Sequence, residues 1–445
     1  MKKNSLFPLV YAQAICTCVL ALLLFPVAFL QTAKAFEIQE VTSKSGIKAW
    51  LVENYSVPII AMEFSFQGGS TQDPKEQLGL TNLLSYTLDE GAGDLNSQQY
   101  QLALEDLTMS VGFRAGKDRF YGSMRTLQPN LTEAVEMLRL AINEPRFDPE
   151  PVEKIKSQII TGIRRAQKQP DAIAARALSQ MLFPNHPYGQ TSLGTEASVS
   201  TLTSQNLRDL KAKLFARQAL NIGVVGAINA EQLAEALDKV FSKLPEKALL
   251  QTIPDIIPVE GEKQEIAFKA PQSTIQFALP GLERTDPTFI PAYVMNHILG
   301  GGSFTSWLYE EVREERGLVY SIGTYLVPYE HSALLMGATG TRSENTEKAL
   351  AIIEEQLARM GTDGPTEEEL QKAKGYITGS YALNFDSSGA IALQLVGIQN
   401  ADLGIDYISE RNDKVNAVTL DQVRSVASEL LKDKKPSIVV VGPIN

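Results

Sequence analysis

An internal duplication constrains this chain more than any other feature. Four short landmarks recur in the same order at a nearly constant spacing. They are Asp73-Pro74 with Asp286-Pro287, Thr132-Glu133 with Thr346-Glu347, Ile160-Thr161-Gly162 with Ile377-Thr378-Gly379, and Asn221–Gly226 with Ser437–Gly442. Each match is short, but four offsets of 213 to 217 residues in one order indicate two homologous units of about 200 residues.

The two predicted units meet at a stretch interrupted by prolines. Pro245, Pro254 and Pro258 lie in a segment with weak periodicity, which is typical of a linker. We therefore predict an N-terminal domain at residues 36–245, a linker at 246–262 and a C-terminal domain at 263–445.

Each unit alternates strand and helix patterns. In the first unit, strands are predicted at 57–67, 118–127 and 219–225, and helices at 130–141, 151–165, 205–216 and 230–241. Asn130 followed by Glu133 is typical of a capping box. In the second unit, strands are predicted at 274–279, 333–339 and 437–441, and helices at 291–299, near 345–360 and at 365–381. This order predicts an α+β fold with two homologous domains, each a mixed or antiparallel sheet with helices packed on one face.

The first 35 residues have the pattern of an export signal. Met1-Lys2-Lys3 is basic, the apolar run is densest from Ile15 to Leu30, and Ala33-Lys34-Ala35 fits a cleavage site. We expect cleavage after Ala35 and a periplasmic mature chain without membrane contact. An uncleaved anchor is the alternative, because the run is nearly long enough to span a bilayer. Both cysteines, Cys16 and Cys18, lie in this segment, so the predicted mature chain uses no disulfides.

Charge and composition restrict the function further. Without the three lysines of the signal, 38 basic and 52 acidic residues remain, a net charge of −14. This balance argues against a nucleic-acid partner, since non-specific binding requires a basic face. Three His and two Cys leave few residues for a metal site built from nitrogen and sulfur ligands. A site of carboxylates alone stays compatible with the composition.

The first motif lies between Gly79 and Gly91. Its frame includes Gly79-Leu80 and Leu84. This frame resembles the zinc-motif helix of the pitrilysin/insulinase metallopeptidase family, whose signature is H-x-x-E-H. Asn82, Ser85 and Tyr86 stand at the His, Glu and His positions. The resemblance extends over roughly residues 47–442 and includes the duplicated architecture.

These three residues lack the chemistry of the motif. Two His at i and i+4 bind Zn²⁺ through neutral imidazoles, and the Glu accepts a proton from the metal-bound water. Asn82 is a weak zinc ligand, Tyr86 is a bulky phenol, and Ser85 has no carboxylate. The resemblance places a third ligand, a Glu, in the region of residues 158–163, which has no acidic residue. We therefore predict that this chain holds no metal and no catalytic residue.

A second segment, residues 303–321, resembles the C-terminal-domain signature of the same family. The resemblance implies that Arg313 and Tyr320 contact the substrate. A guanidinium donates hydrogen bonds to a carbonyl group, and a phenol stabilises a developing oxyanion. The residue spacing alone favours a surface helix with Glu–Arg pairs, followed by a turn at Gly317 and a strand. Arg316 is the alternative to Arg313 if the register is shifted by one turn.

Two further segments have less specific patterns. His186-Pro-Tyr188-Gly189 also resembles a recurrent family segment, and a lone His in such a turn is predicted to be a structural hydrogen-bonding group. Gly300-Gly301-Gly302 is not followed by the Lys and Ser or Thr of a phosphate-binding loop. It fits a flexible loop beside a substrate chamber or the turn that ends a helix.

These features predict a catalytically silent subunit. The resemblance implies a clam-like chain that encloses peptide substrates and positions them for a homologous partner. That partner carries H-x-x-E-H and holds the zinc, so this chain has no cofactor of its own. The alternative is a structural or peptide-binding protein on the same fold, without associated proteolysis. An active enzyme with another site is a third hypothesis, for which Asp89, Glu90 and Asp94 are the nearest acidic cluster.

Overall fold

The computed structural model describes residues 37–443. The predicted export signal, residues 1–35, lies outside this range. Residues 38–443 belong to one compact unit. No helix within the described range is both long enough and apolar enough to cross a membrane.

The first half of the described chain contains six strands and eight α-helices. The strands are β1 (Gln39–Thr42), β2 (Lys48–Glu53), β3 (Ile59–Gln67), β4 (Ser110–Ala115), β5 (Arg119–Leu127) and β6 (Asn221–Gly226). The helices are α1 (Leu80–Ser85), α2 (Ser97–Asp106), α3 (Leu131–Asn143), α4 (Pro149–Ala166), α5 (Pro170–Leu182), α6 (Glu196–Thr201), α7 (Ser204–Leu214) and α8 (Ala230–Phe241).

The second half, up to residue 443, contains five strands and six α-helices. The strands are β7 (Lys263–Ala267), β8 (Gln272–Pro280), β9 (Val319–Pro328), β10 (Ala333–Arg342) and β11 (Ser437–Gly442). The helices are α9 (Phe289–Asn296), α10 (Thr346–Thr362), α11 (Glu367–Gly379), α12 (Ser388–Asn400), α13 (Tyr407–Asn416) and α14 (Leu420–Leu431). Two π-helical turns, His297–Gly301 and Tyr309–Glu314, precede β9.

The two sheets share one strand order. The first sheet has the order β1-β2-β6-β3-β5-β4, and the second has β7-β11-β8-β10-β9. If β1 is set aside, each strand of the first sheet has a counterpart at the same place in the second. The pairs β2/β6 and β7/β11 are parallel, and the other pairings are antiparallel. The predicted α+β fold with two repeated sheets is therefore confirmed.

A phenylalanine lies across a glycine at the same place in both sheets. Phe64 on β3 is opposite Gly122 on β5, and Phe277 on β8 is opposite Gly337 on β10. A Cβ atom at either glycine would lie 2.1 Å from the facing ring. The glycine thus provides the space that the ring occupies over the neighbouring strand. This repeated Phe–Gly pair is further evidence of the duplication, and it is not among the four sequence landmarks.

The central strands of each sheet are buried on both faces. One face packs against helices of its own half, and alternate strand residues separate the two sides. On β11, Ile438 and Val440 belong to the main core of the second half, whereas Val439 and Val441 face α5 of the first half. In the same way, α12 of the second half covers β3 and β6 of the first. The halves therefore exchange one helix each, in addition to the one-sided helical layer that the sequence predicts.

Several predicted elements differ from the structure in detail. The segment framed by Gly79 and Gly91 is helical only over α1 and continues as turns. Asn130 precedes α3 without capping it, because its side-chain amide donates to the Leu107 carbonyl oxygen at 2.7 Å. The predicted helix at 291–299 is α9 followed by a π-helical turn. Elements without a counterpart among the predicted ranges include β1, β2, β4 and β7 and the helices α2, α6, α12, α13 and α14.

Candidate functional site

Helix α1, which resembles a zinc-motif helix, begins after a glycine whose backbone conformation other residues rarely adopt. Gly79 has a φ of +90°, and a Cβ atom there would lie 2.7 Å from the Leu193 carbonyl oxygen. The buried carboxyl group of Asp73 accepts hydrogen bonds from the amides of Gly79 and Thr81, both at 2.9 Å, and from the Thr81 hydroxyl. Burial raises the pKa of Asp73 to about 6, against the lowering effect of these hydrogen bonds. The hydrogen bonds to Asp73 thus anchor the start of α1.

The three motif positions have different surroundings. The side-chain nitrogen of Asn82 is buried, with no hydrogen-bond partner in residues 37–443. The hydroxyl of the buried Ser85 donates to the Asn82 carbonyl oxygen at 2.8 Å. Tyr86 is 54% exposed. None of the three presents an imidazole or a carboxylate, so the site lacks the ligands and the base that zinc hydrolysis requires.

The region in which the resemblance places the third ligand, residues 158–163, lies on α4. Ile159 and Ile163 are buried there and belong to the core of the first half. Two of the acidic residues that follow α1 have other surroundings than a metal site. The Glu90 carboxylate accepts a hydrogen bond from the Ser97 hydroxyl at 2.5 Å. Burial raises the pKa of Asp89 to about 6. Within the described range, no three His, Cys, Asp or Glu side chains are grouped so that they could hold a metal ion.

Arg313 and Tyr320 lie next to each other. Arg313 is on the π-helical turn Tyr309–Glu314, and Tyr320 is near the start of β9. The Arg313 Nε atom donates to the Tyr320 carbonyl oxygen at 2.9 Å, and its guanidinium lies 4.8 Å from the centre of the Tyr309 ring. Nη1 forms an ion pair with Glu314. The Tyr320 side chain is 84% exposed, so its phenol is available to a ligand.

Arg316, the alternative to Arg313, has a different set of contacts. Its Nη1 atom donates to the carboxylate of Glu311 at 2.5 Å and to the Glu311 carbonyl oxygen at 2.7 Å. The positively charged group next to Tyr320 is therefore that of Arg313. Both arginines also form the Glu–Arg pairs expected of a surface segment.

The glycine run before this segment is packed rather than free. Gly300 and Gly301 lie in the π-helical turn His297–Gly301. A Cβ atom at Gly300 would lie 2.9 Å from the Thr324 amide nitrogen of β9. The sequence allowed either a flexible loop or the turn that ends a helix, and the structure shows the turn. Both π-helical turns pack against β9, which is the last strand of its sheet.

Two family models match the chain. The model described as Insulinase (Peptidase family M16) matches residues 50–196, and the model described as Peptidase M16 inactive domain matches residues 201–376. Together they account for more than half of the sequence. This chain belongs to the M16 peptidase family.

The M16 chain resembles bacterial relatives over most of its length. It is 25% identical to a protein of Helicobacter pylori named non-peptidase homolog YmxG, over 79% of this chain and 81% of that protein. It is also 25% identical to the uncharacterized zinc protease YmxG of Bacillus subtilis, over 89% of this chain and 96% of that protein. A crystal structure of a peptidase M16 inactive domain from Pseudomonas fluorescens matches with a TM-score of 0.86 and 27% identity, over 92% of this chain and 99% of that one. The fold is therefore that of an inactive, M16-like chain.

The His-Pro-Tyr-Gly segment of this M16 chain links the two halves. The Tyr188 hydroxyl donates to Oδ1 of Asp118 at 2.9 Å and accepts from the His331 amide at 3.0 Å. The ring of the buried His186 accepts from the Tyr188 amide at 3.1 Å, and its Nε2 atom lies 2.9 Å from the Pro254 carbonyl oxygen. Both ring nitrogens of His186 therefore contact the backbone, as expected of a structural residue. Asp118 and His331 are far apart in sequence, so no local pattern could identify them.

Proposed function

We propose that this chain is a catalytically silent subunit of a periplasmic zinc endopeptidase heterodimer. It encloses and positions peptide substrates through Arg313 and Tyr320 for a homologous partner that carries H-x-x-E-H and holds the zinc. The observation that carries the proposal is a combination of two features: the zinc helix lacks its ligands, while the Arg–Tyr segment remains assembled and exposed.

The Arg–Tyr pair supplies what a peptide-positioning site requires. The Arg313 guanidinium is held by the Tyr320 carbonyl oxygen and by Glu314, which leaves Nη2 without a hydrogen-bond partner in the described chain. A fixed guanidinium donates directional hydrogen bonds to a peptide carbonyl. The exposed Tyr320 phenol adds a second donor for an oxygen that gains negative charge during hydrolysis. Neither group activates a water molecule, so the metal chemistry belongs to the partner.

The location follows from the predicted export signal. Cleavage after Ala35 would release a chain that begins at Phe36, one residue before the described range. Sequencing the N-terminus of the protein from its own host tests this step. A protein that begins at Phe36 supports export, whereas one that retains Met1 and cofractionates with membranes supports the anchor.

The partner is tested first, by purifying the tagged chain from its own host and identifying the proteins bound to it by mass spectrometry. We expect a stoichiometric homologue of similar size that carries H-x-x-E-H. A homodimer, or a partner from an unrelated complex, would contradict the heterodimer and favour the structural or peptide-binding alternative.

The role of the Arg–Tyr pair is tested in that complex with Arg313→Ala. We expect kcat/KM for peptide cleavage to fall about 10- to 100-fold, since the variant loses a hydrogen-bond donor to the reacting substrate. Arg316→Ala is the matched control, because this arginine pairs with Glu311, and it should retain nearly full activity. If Arg313→Ala also retains full activity, the positioning role of Arg313 is wrong.

A further inference from the structure

A cavity in the second half is lined by cations without anions. It has a volume of about 460 Å³, and its lining includes Arg284 and Arg411 but no Asp or Glu. Five aromatic rings, from Phe289, Tyr293, Tyr325, Tyr381 and Tyr407, form much of its wall. In a chain with 52 acidic residues, a pair of arginines that form no ion pair with a described carboxylate requires an explanation.

Neither arginine has a charged partner in the described chain. Arg411 is only 7% exposed, and its Nη1 atom donates to the Ile377 carbonyl oxygen at 3.0 Å and to the Asn412 side chain at 3.1 Å. Arg284 donates from Nη2 to the Tyr407 hydroxyl at 2.5 Å. All these acceptors are neutral, and burial of an uncompensated charge is costly.

Aromatic rings and a helix end offset part of this cost. The Arg411 guanidinium lies 4.2 Å from the centre of the Tyr381 ring, and that of Arg284 lies 4.4 Å from the centre of the Phe289 ring. Ile377 is near the C-terminus of α11, where the helix dipole favours a cation. These contacts hold the two guanidinium groups in place. They leave Nε and Nη2 of Arg411, a pair of parallel N–H donors of the kind that binds a carboxylate, without an acceptor in the described chain. Arg284 donates from Nη2 to Tyr407, and its Nε and Nη1 atoms have no acceptor among the described residues.

The same wall contains polar atoms that lack a donor. Asn296 is 6% exposed, and its amide nitrogen donates to the Thr324 carbonyl oxygen at 3.3 Å. Its side-chain oxygen and the Thr324 hydroxyl are buried without hydrogen bonds to any described residue. A buried acceptor without a donor is destabilising. The N–H groups of a peptide backbone would satisfy such acceptors.

We propose that this cavity binds a carboxylate group of a peptide ligand, with an aromatic or apolar side chain of the ligand against the rings. Arg284 and Arg411 bind the carboxylate, and Asn296 and Thr324 face the peptide backbone. The inference rests on the proposed function to the extent that the ligand is a peptide. Strand β9 connects the Arg–Tyr pair to the cavity, since Tyr320 and Thr324 are four residues apart, or about 13 Å along a strand. A peptide held at Tyr320 therefore reaches the cavity with a residue several positions away.

The test measures the binding of four labelled ten-residue peptides by fluorescence anisotropy. The peptides share one sequence up to a Tyr near the end, and they finish in Glu or Gln with either a free or an amidated C-terminus. We expect the amidated Gln peptide, which has no carboxylate at this end, to bind at least tenfold more weakly than the best acidic peptide. If amidation lowers the affinity, the cavity binds the C-terminal carboxylate. If the change from Glu to Gln lowers the affinity, the cavity binds the side-chain carboxylate. Equal affinity for all four peptides would overturn the proposal, and so would inorganic phosphate that competes with them at micromolar concentration.

Variants of the full chain connect the preference to the cavity. Arg284→Gln, at a half-buried residue, should remove the preference for the acidic peptide, and Arg411→Lys should weaken it. Arg424→Gln is the matched control, because Arg424 also donates only to a neutral acceptor, the Pro365 carbonyl oxygen, and lies outside the cavity. If Arg411→Lys fails to fold, Arg284→Gln alone decides the question, and an unchanged preference in that variant contradicts the proposal.

This test separates the cavity from the proposed function. Arg313→Ala should affect acidic and amidated peptides alike, whereas Arg284→Gln should affect only the difference between them. If Arg313→Ala has no effect on cleavage while Arg284→Gln removes the acid preference, the positioning role is wrong and the carboxylate site stands.

Discussion

At the scale of single residues, Glu63 is a carboxyl group in an unfavourable position. It lies on β3, in the middle of the first sheet, between Ser123 of β5 and Gly223 of β6. Burial raises its pKa from 4.5 to about 7, and the charge of Arg114 offsets this only in part. The folded chain therefore holds the Glu63 proton to a higher pH than the unfolded chain does.

The stability of the chain should fall as the pH rises through 7 because of Glu63. The contribution of this residue is complete below pH 4.5 and is lost as the folded carboxyl group ionises. Since the Glu63 side chain is only partly buried, we expect the loss between pH 5 and pH 8 to be about 1–2 kcal/mol. Glu63→Gln should reduce this pH dependence in urea denaturation. Glu355→Gln, at an exposed position on α10, is the control and should have the same pH dependence as the wild type.

At the scale of elements, the repeated Phe–Gly pair shows how the strand faces are fitted together. The ring of Phe277 occupies the space above Gly337 on the neighbouring strand, and Phe64 does the same above Gly122. The interior of a protein is densely packed, so added volume forces either the ring or the strand to move. The glycines on these strands are thus not equivalent, although they look alike in sequence.

Gly337→Ala should destabilise the chain by about 1–3 kcal/mol, since the new methyl group would overlap the Phe277 ring. Gly340→Ala lies three residues further along β10, where a Cβ atom meets nothing within 4 Å, and it should change the stability by less than about 0.5 kcal/mol. The urea midpoints of the two variants measure the difference. Equal midpoints would show that the ring moves aside at little cost.

At the scale of the whole molecule, the exchanged helices make the two halves interdependent. Helix α12 of the second half buries Ile391 and Leu395 against Trp50 and Val225 of the first sheet. Helix α5 of the first half buries Leu178 against the second sheet. Each half therefore exposes an apolar sheet face if the other half unfolds, because part of its core is supplied from far along the chain.

Leu395→Ala should destabilise both halves together, by about 2–5 kcal/mol, because it removes a fully buried side chain from the exchanged helix. Leu393 lies on the same helix and is 46% exposed, so Leu393→Ala should have little effect. Denaturation followed by circular dichroism and by tryptophan fluorescence should show one coincident transition in each protein. Two separate transitions would contradict the interdependence of the halves.

The sequence predicted this fold as far as local patterns reach. Helix α8 has the predicted limits, since its apolar residues repeat at helical spacing and Asn229 caps its start. The capping box at Asn130 was a wrong prediction, because a contact with Leu107 competes for the same side chain. The short length of α1 was also missed, since it depends on the turns that follow Ser85. Arg313 and Tyr320 were named from a motif, whereas Arg284 and Arg411 share no local pattern.

The sequence by itself determined the duplication, the family resemblance and the substitution of the zinc motif, because these depend only on the identity and order of residues. The tertiary structure decided which groups are buried, paired or exposed. It placed Arg313 rather than Arg316 beside Tyr320, exchanged α5 and α12 between the sheets, and brought Arg284 and Arg411 to one cavity. Burial and charge pairing arise from contacts between residues far apart in the chain, so no pattern of neighbouring residues contains them.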